Sequence, residues 1–137
     1  MIFVDTNVIS ETLRKAPDAA VLAWLTRNDA ELALPTVAIA EIAFGIAKVR
    51  PDQRAGRLQQ GLSEWRRRFA DRIFGLTEEA ALIYGDIMGS AMRSGRPMSA
   101  PDGMIAAIAV TNGGRLATRN ITDFETTGLD LISPWEF

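Results

Sequence analysis

Apolar and polar residues follow one another in blocks whose spacing predicts short buried strands between amphipathic helices. Short apolar runs bounded by turn-forming or polar residues predict strands at residues 2–4, 31–34, 73–76, 115–118 and 129–132. Apolar residues at helical spacing predict helices over residues 18–28, 37–49, 52–71, 77–94 and 102–113. Strands alternating with helices favour an α/β fold, and we expect one three-layer domain over residues 1–137 with a mainly parallel sheet.

Glu41 is a charged residue in an otherwise apolar stretch of a predicted helix. It is the only charged residue between Glu31 and Lys48, and the residues one helical turn away (37, 38, 44 and 45) are apolar or glycine. An ionised carboxylate is costly to bury without a partner, so this side chain is expected to need a cation. The alternative is an ordinary helix residue that faces solvent.

Three aspartates occupy comparable positions along the chain. Asp5 and Asp123 follow predicted strands, and Asp102 begins a helix that carries no other charge as far as Gly114. Each could simply cap a turn or a helix. In a parallel sheet, however, the carboxyl ends of strands and the helix starts that follow them share one edge, where ligands bind. The four acids are therefore predicted to converge in one cleft.

Composition restricts the chemistry available to such a cleft. The chain has no histidine and no cysteine, which excludes an imidazole base, a thiolate nucleophile and the usual zinc ligand sets. Clustered carboxylates repel one another unless a cation neutralises them, and Mg²⁺ or Mn²⁺ suits an all-oxygen site. Such ions support displacement at phosphorus.

Charge is distributed unevenly although the net charge is only −2. Residues 48–72 contain eight basic and three acidic side chains, a local charge of +5. This basic segment could attract phosphates, form an ordinary solvated helix face or bind a protein partner. The sequence leaves these alternatives open.

Four segments together resemble the PIN domain, and in particular the ribonuclease toxins of bacterial VapBC-like toxin–antitoxin pairs, including FitB-like members. The segments are M-I-F-V-D-T-N-V-I-S-E, P-T-V-A-I-A-E-I-A-F-G-I, S-A-P-D-G-M-I-A-A-I-A and L-A-T-R-N-I-T-D-F. They occur in the family's order and cover essentially the whole chain.

The resemblance implies a PIN-like α/β/α fold, RNA cleavage dependent on Mg²⁺ or Mn²⁺, a homodimer and a cognate antitoxin that blocks the site. The family's catalytic, metal-ligating acids match Asp5, Glu41, Asp102 and Asp123. Thr6 and Asn7 would orient the first loop, and Thr118 and Asn120 would support a water or a neighbouring carboxylate. Thr and Asn are also ordinary turn residues, which is the alternative for these four.

Two rival functions remain at this point. A phosphatase of the haloacid type needs a second aspartate two positions after the first, and Asn7 occupies that position. A non-catalytic interaction or nucleic-acid-binding module would use the acids only as caps, which leaves Glu41 unexplained. The longest apolar stretch is broken by Pro35, Glu41 and Gly45, and no secretory signal precedes it, so we expect a cytoplasmic protein without a membrane segment.

Overall fold

The computed structural model describes residues 1–136, and its centre is a sheet of short parallel strands. The strands are β1 (Ile2–Val4), β2 (Leu32–Pro35), β3 (Ile73–Phe74), β4 (Arg115–Ala117) and β5 (Leu131–Ile132). Their order is β3-β2-β1-β4-β5, and all four pairings are parallel. The predicted parallel sheet is confirmed.

Helices cover this sheet in a three-layer α/β/α arrangement, as predicted. They are α1 (Thr6–Thr12), α2 (Ala19–Asn28), α3 (Thr36–Val49), α4 (Arg54–Arg68), α5 (Glu78–Arg93) and α6 (Ala100–Thr111). Short 3₁₀ segments span residues 29–31, 70–72, 121–127 and 134–136. Within residues 1–136, none of these helices combines the length and the apolar character needed to cross a bilayer.

The core lies around β1 and α6. All three residues of β1 are at most 1% exposed, and Ile105 to Ala109 of α6 are completely buried. Their side chains are uniformly apolar, so burial on every side leaves no polar group without a partner. The helix predicted to be buried with one acid at its start is α6, which packs against β2 and β4 on either side of the central strand.

The sequence-based prediction was wrong about residues 5–7, which form the start of a helix and not a loop. Helix α1 begins at Thr6, directly after β1, because the Asp5 carboxylate accepts a hydrogen bond from the Thr6 N–H at 2.8 Å. Seven residues are too few for helical periodicity to stand out. Helix α3 begins one residue earlier than predicted, at Thr36, and Pro35 occupies the cap position without a side-chain bond.

The strand order places a crevice between β1 and β4. The chain runs from β1 outward to β2 and β3 on one side, and β4 and β5 lie on the other side. A reversal of this kind in a parallel sheet opens a space beyond the carboxyl ends of the two central strands. Asp5 follows β1 and Thr118 follows β4, so both stand at this opening.

Gly114 allows the loop before β4 to approach β1 closely, and its replacement by alanine should destabilise the protein. A Cβ there would lie 2.8 Å from two ring carbons of Phe3 and 3.3 Å from the Met1 carbonyl oxygen. Overpacking of this kind reduces the free energy of unfolding by about 1–3 kcal/mol. Urea denaturation of Gly114→Ala should show this loss. Gly56→Ala is the control, since a Cβ at this helical position meets no atom within 4 Å. Equal stability of the two variants would contradict the prediction.

Candidate active site

Asp5 is the deepest carboxylate of the cleft. It is 3% exposed, and its Oδ2 accepts hydrogen bonds from the Thr118 hydroxyl at 2.8 Å and from the Asn7 amide at 3.2 Å. The pKa of Asp5 is raised from 3.8 to about 6, chiefly by burial and to a smaller extent by the negative charges of Asp102 and Glu41, although the bonds from Thr118 and Thr6 lower it. A group with these opposing influences is a strong candidate for a functional role.

Asn7 and Thr118 hold Asp5 from two different elements. Asn7 lies in α1 and also accepts, through Oδ1, a hydrogen bond from the Arg119 backbone N–H at 3.2 Å. The Thr118 hydroxyl, which is fully buried, accepts from the Asn120 backbone N–H at 3.0 Å while donating to Asp5. The start of α1 is thereby tied to the segment after β4. The predicted supporting residues are thus in the cleft, and the Asn120 side chain lines it.

Glu41 faces the same cleft from α3. Its Oε1 accepts a hydrogen bond of 2.6 Å from the Thr6 hydroxyl, which joins the second turn of α3 to the first residue of α1. Glu41 is partly buried, whereas its neighbour Phe44 is 67% exposed. The apolar environment predicted around Glu41 is therefore incomplete. Within residues 1–136 the carboxylate forms no salt bridge, so no basic side chain supplies the cation that the sequence predicts for it.

Asp102 is not the N-cap of α6, although the sequence allowed this role. The N-cap of α6 is Ser99, whose hydroxyl accepts a hydrogen bond from the Asp102 N–H at 3.3 Å, and Asp102 stands in the first turn. Burial raises the pKa of Asp102, and the charges of Asp123 and Glu41 raise it further, against a lowering effect of Ser99. Its carboxylate is therefore free to face the cleft.

Asp123 is the outermost of the four acids. It lies exposed in the 3₁₀ segment Ile121–Thr127, one turn after Asn120. Asp5, Glu41 and Asp102 line one open cleft of about 410 Å³, and Asp102 and Asp123 line an adjoining cleft of about 280 Å³. Asp102 therefore links the acids into one electrostatic cluster, with Asp123 at its edge.

The donor set suits a hard divalent cation. The cleft offers carboxylate, hydroxyl and amide oxygens, and like charges would be neutralised by an ion. Within residues 1–136, no group of three acids is arranged tightly enough to serve as a complete protein ligand set. Mg²⁺ usually keeps several waters and takes one or two carboxylates, so this looser arrangement fits it.

Sequence reasoning missed four residues that line the cleft: Ser10, Glu11, Arg14 and Arg119. Glu11 is 4% exposed and forms a 3.0 Å salt bridge with Arg14. Polar residues at positions 6, 7, 10, 11 and 14 follow helical spacing, a signal that would have revealed one face of α1 had this helix been expected.

The basic segment, residues 48–72, lies mostly elsewhere. Arg67 and Arg68 line a larger groove of about 860 Å³ between α2 and α4, together with apolar residues such as Leu22 and Trp65. Arg68 also forms a 2.9 Å salt bridge with Asp29. These two arginines therefore do not line the acidic cleft.

Comparison with known proteins agrees with this geometry. Residues 2–128 match the family model described as "PIN domain". The chain is 41% identical over 138 residues to the VapC ribonuclease Y4jK of Sinorhizobium fredii, an alignment that covers 99% of each chain. It is 35% identical to the toxin FitB of Neisseria gonorrhoeae over 140 residues, which covers 98% of this chain and 99% of FitB.

A solved structure shows the same architecture. A chain of FitAcB from Neisseria gonorrhoeae superposes with a TM-score of 0.91 at 34% sequence identity, and the superposition covers 100% of both chains. The sheet and the helices around the cleft therefore belong to a fold already observed by crystallography.

Proposed function

The chain belongs to the PIN-domain family, and we propose that it is a metal-dependent endoribonuclease that acts as the toxin of a toxin–antitoxin pair. The relatives named as a VapC ribonuclease and as toxin FitB align over nearly their whole length. They support RNA phosphodiester hydrolysis as the reaction and a cognate antitoxin as the partner.

The observation that carries the proposal is the convergence of carboxylates at the crevice between β1 and β4. Asp5, Glu41 and Asp102 come from three different helix starts or turns and line one cleft. The charges of Glu41 and Asp102 raise the pKa of Asp5. A purely structural domain gains no stability from carboxylates that repel one another. A nuclease that binds a cation requires such a cluster, because the carboxylates are its ligands.

Asp5 and Asp102 are the proposed principal ligands of Mg²⁺ or Mn²⁺, with Glu41 and Asp123 completing the site directly or through water. When bound, the ion would activate water and stabilise the charge that develops at phosphorus. Thr118 and Asn7 fix the orientation of the Asp5 carboxylate. Thr6 holds Glu41 at the rim of the cleft, which leaves its second oxygen available.

The partners follow from the same family membership. RNA would enter the open acidic cleft, and the antitoxin would block access to it. A homodimer is supported by the exposure of three large apolar side chains on α3 and α5, namely Phe44, Leu82 and Met92. Because cellular RNA is the proposed substrate, the protein is expected to act in the cytoplasm.

Antitoxin-free protein should cleave single-stranded RNA when Mg²⁺ or Mn²⁺ is added, and chelation should abolish cleavage. Incubation of a mixed RNA pool, followed by gel analysis of fragment ends, checks this. Addition of the protein encoded by a small adjacent reading frame should suppress the activity. Absence of cleavage with either ion, under conditions where the protein is folded, would refute the proposal.

A further inference from the structure

Arginine flanks β4 at both ends, and the two side chains have different surroundings. Arg115 begins the strand and forms a 2.8 Å salt bridge with Asp130. Arg119 lies two residues beyond the strand's carboxyl end and lines the acidic cleft. Its backbone N–H is bonded to Asn7, a residue that also holds Asp5. Arg119 is therefore anchored to the same network as the deepest carboxylate.

The Arg119 guanidinium is held by an aromatic ring. Its central carbon lies 5.0 Å from the ring centroid of Trp135, and within residues 1–136 no carboxylate forms a salt bridge with it. Arg14, the other cation of the cleft, is already neutralised by the buried Glu11. Arg119 therefore supplies the uncompensated positive charge at the rim.

A guanidinium that packs on an aromatic face keeps the outward N–H donors in its plane available. Those donors match the paired oxygens of a phosphate diester, which Arg binds in bidentate fashion. An acidic peptide would also pair with Arg119, but it has no phosphodiester to present to the three acids in the cleft. A backbone phosphate carries a single charge and leads directly to the phosphodiester that an ion in the cleft would engage.

We propose that Arg119 binds a phosphate of the RNA backbone next to the cleaved phosphodiester and that Trp135 positions its guanidinium for this contact. The inference rests on the proposed nuclease function and adds a substrate-positioning residue to it. In this arrangement residues 118–119 have two roles at the cleft, one toward the carboxylate and one toward the substrate. Thr118 orients the carboxylate below, and Arg119 holds the substrate above.

The test measures RNA binding separately from cleavage. In a Glu41→Gln background, binding of a fluorescent single-stranded RNA is followed by anisotropy at several salt concentrations, with Ca²⁺ present to neutralise the acids of the cleft. Arg119→Gln should weaken binding about tenfold at low salt, and the slope of log K against log salt should fall by about 0.7, the value for one lost phosphate contact. Arg115→Gln is the matched control, because it removes the same charge from the other end of β4.

Trp135 provides a second, independent comparison. Trp135→Leu should weaken binding severalfold, and Trp135→Phe, which retains an aromatic face, should restore most of the affinity. Thermal melts establish that each variant is folded. In active protein, Arg119→Gln should raise KM more than it lowers kcat.

Three outcomes would overturn the inference. Equal salt slopes for the Arg119→Gln and Arg115→Gln variants would show that Arg119 contacts no phosphate. Loss of antitoxin binding with unchanged RNA binding would assign Arg119 to the protein partner instead. If the Glu41→Gln parent binds no RNA, the proposed nuclease function fails as well, whereas normal parental binding confines the failure to Arg119.

Discussion

Asp5→Asn should reduce RNA cleavage by about a thousandfold while the protein remains folded. Loss of a principal ligand removes several kcal/mol of charge stabilisation in the transition state, and about 4 kcal/mol corresponds to three orders of magnitude in rate. Stability should change little because two effects oppose each other. Burial of a neutral amide costs less free energy than burial of a charge, which stabilises the variant. The N–H₂ group, however, is itself a donor and faces the donors of Thr118 and Asn7, which destabilises the variant. Initial rates at saturating Mn²⁺ and a thermal melt measure both properties.

Glu41→Gln removes a second charge from the cleft and disturbs the structure less than Asp5→Asn does. The glutamine oxygen can still accept the bond from Thr6, so the contact between α1 and α3 persists while the charge is removed. We expect a loss of cleavage of about a hundredfold or more. Asp71→Asn, at an 88% exposed side chain, should cleave RNA like the wild type. Full activity of both cleft variants would eliminate the acid cluster as the reaction centre.

Mn²⁺ should stabilise the protein at pH 8 and have little effect at pH 5. Because burial raises the pKa of Asp5 from 3.8 to about 6, the ionised carboxyl disfavours the ion-free fold. This penalty is absent below pH 4, grows between pH 4 and 6, and reaches about 3 kcal/mol above pH 6. An ion relieves it, so the stabilisation by Mn²⁺ is full above pH 6 and is lost as a proton displaces the ion at lower pH.

Differential scanning calorimetry at each pH, with and without Mn²⁺, measures this dependence. At an ion concentration 100 times the Kd, the expected gain is about 2.7 kcal/mol, or several degrees in Tm. The negative groups that face Asp5 are Glu41 and Asp102, and the cations of the same cleft are Arg14 and Arg119. Asp5→Asn should lose most of the response at pH 8. A Tm shift that is the same at pH 5 and pH 8 would show that Asp5 does not titrate with ion binding.

Much of this architecture could be predicted from the chain alone because the strands are short, apolar and bounded by breakers. The pattern that predicted β1 and β4 also predicted that Asp5 and Asp123, which follow these strands, lie at one edge of the sheet, since a parallel sheet leaves few alternatives. Glu41 stood out because its helix is otherwise apolar. The predictions of the strands and of Glu41 depend on the composition of short segments, which a single sequence shows directly.

The features that escaped prediction depend on contacts between distant segments. Asp102 is an exception, because the residue that takes its place as N-cap, Ser99, lies only three residues earlier, and both Ser and Asp are favoured at that position. Arg119 acquires its role through Trp135, sixteen positions along the chain, so its meaning depends on tertiary packing. The alternatives for the basic segment were left open for the same reason, because a local excess of charge does not reveal which groove the side chains line.

The close approach of Gly114 to Phe3 lies beside the pairing of β4 with β1, and this pairing affects the cleft. Thr118, the first residue after β4, is fully buried and donates to Asp5, whereas the next residue, Arg119, is exposed at the cleft. A slip of one residue between β4 and β1 would exchange them and press a guanidinium against the buried carboxylate. The register pairs Val4 with Ala117, and the close approach that only glycine allows at residue 114 lies at the other end of this pairing. A larger residue at position 114 would therefore disturb the strand register that brings Thr118, and not Arg119, to Asp5.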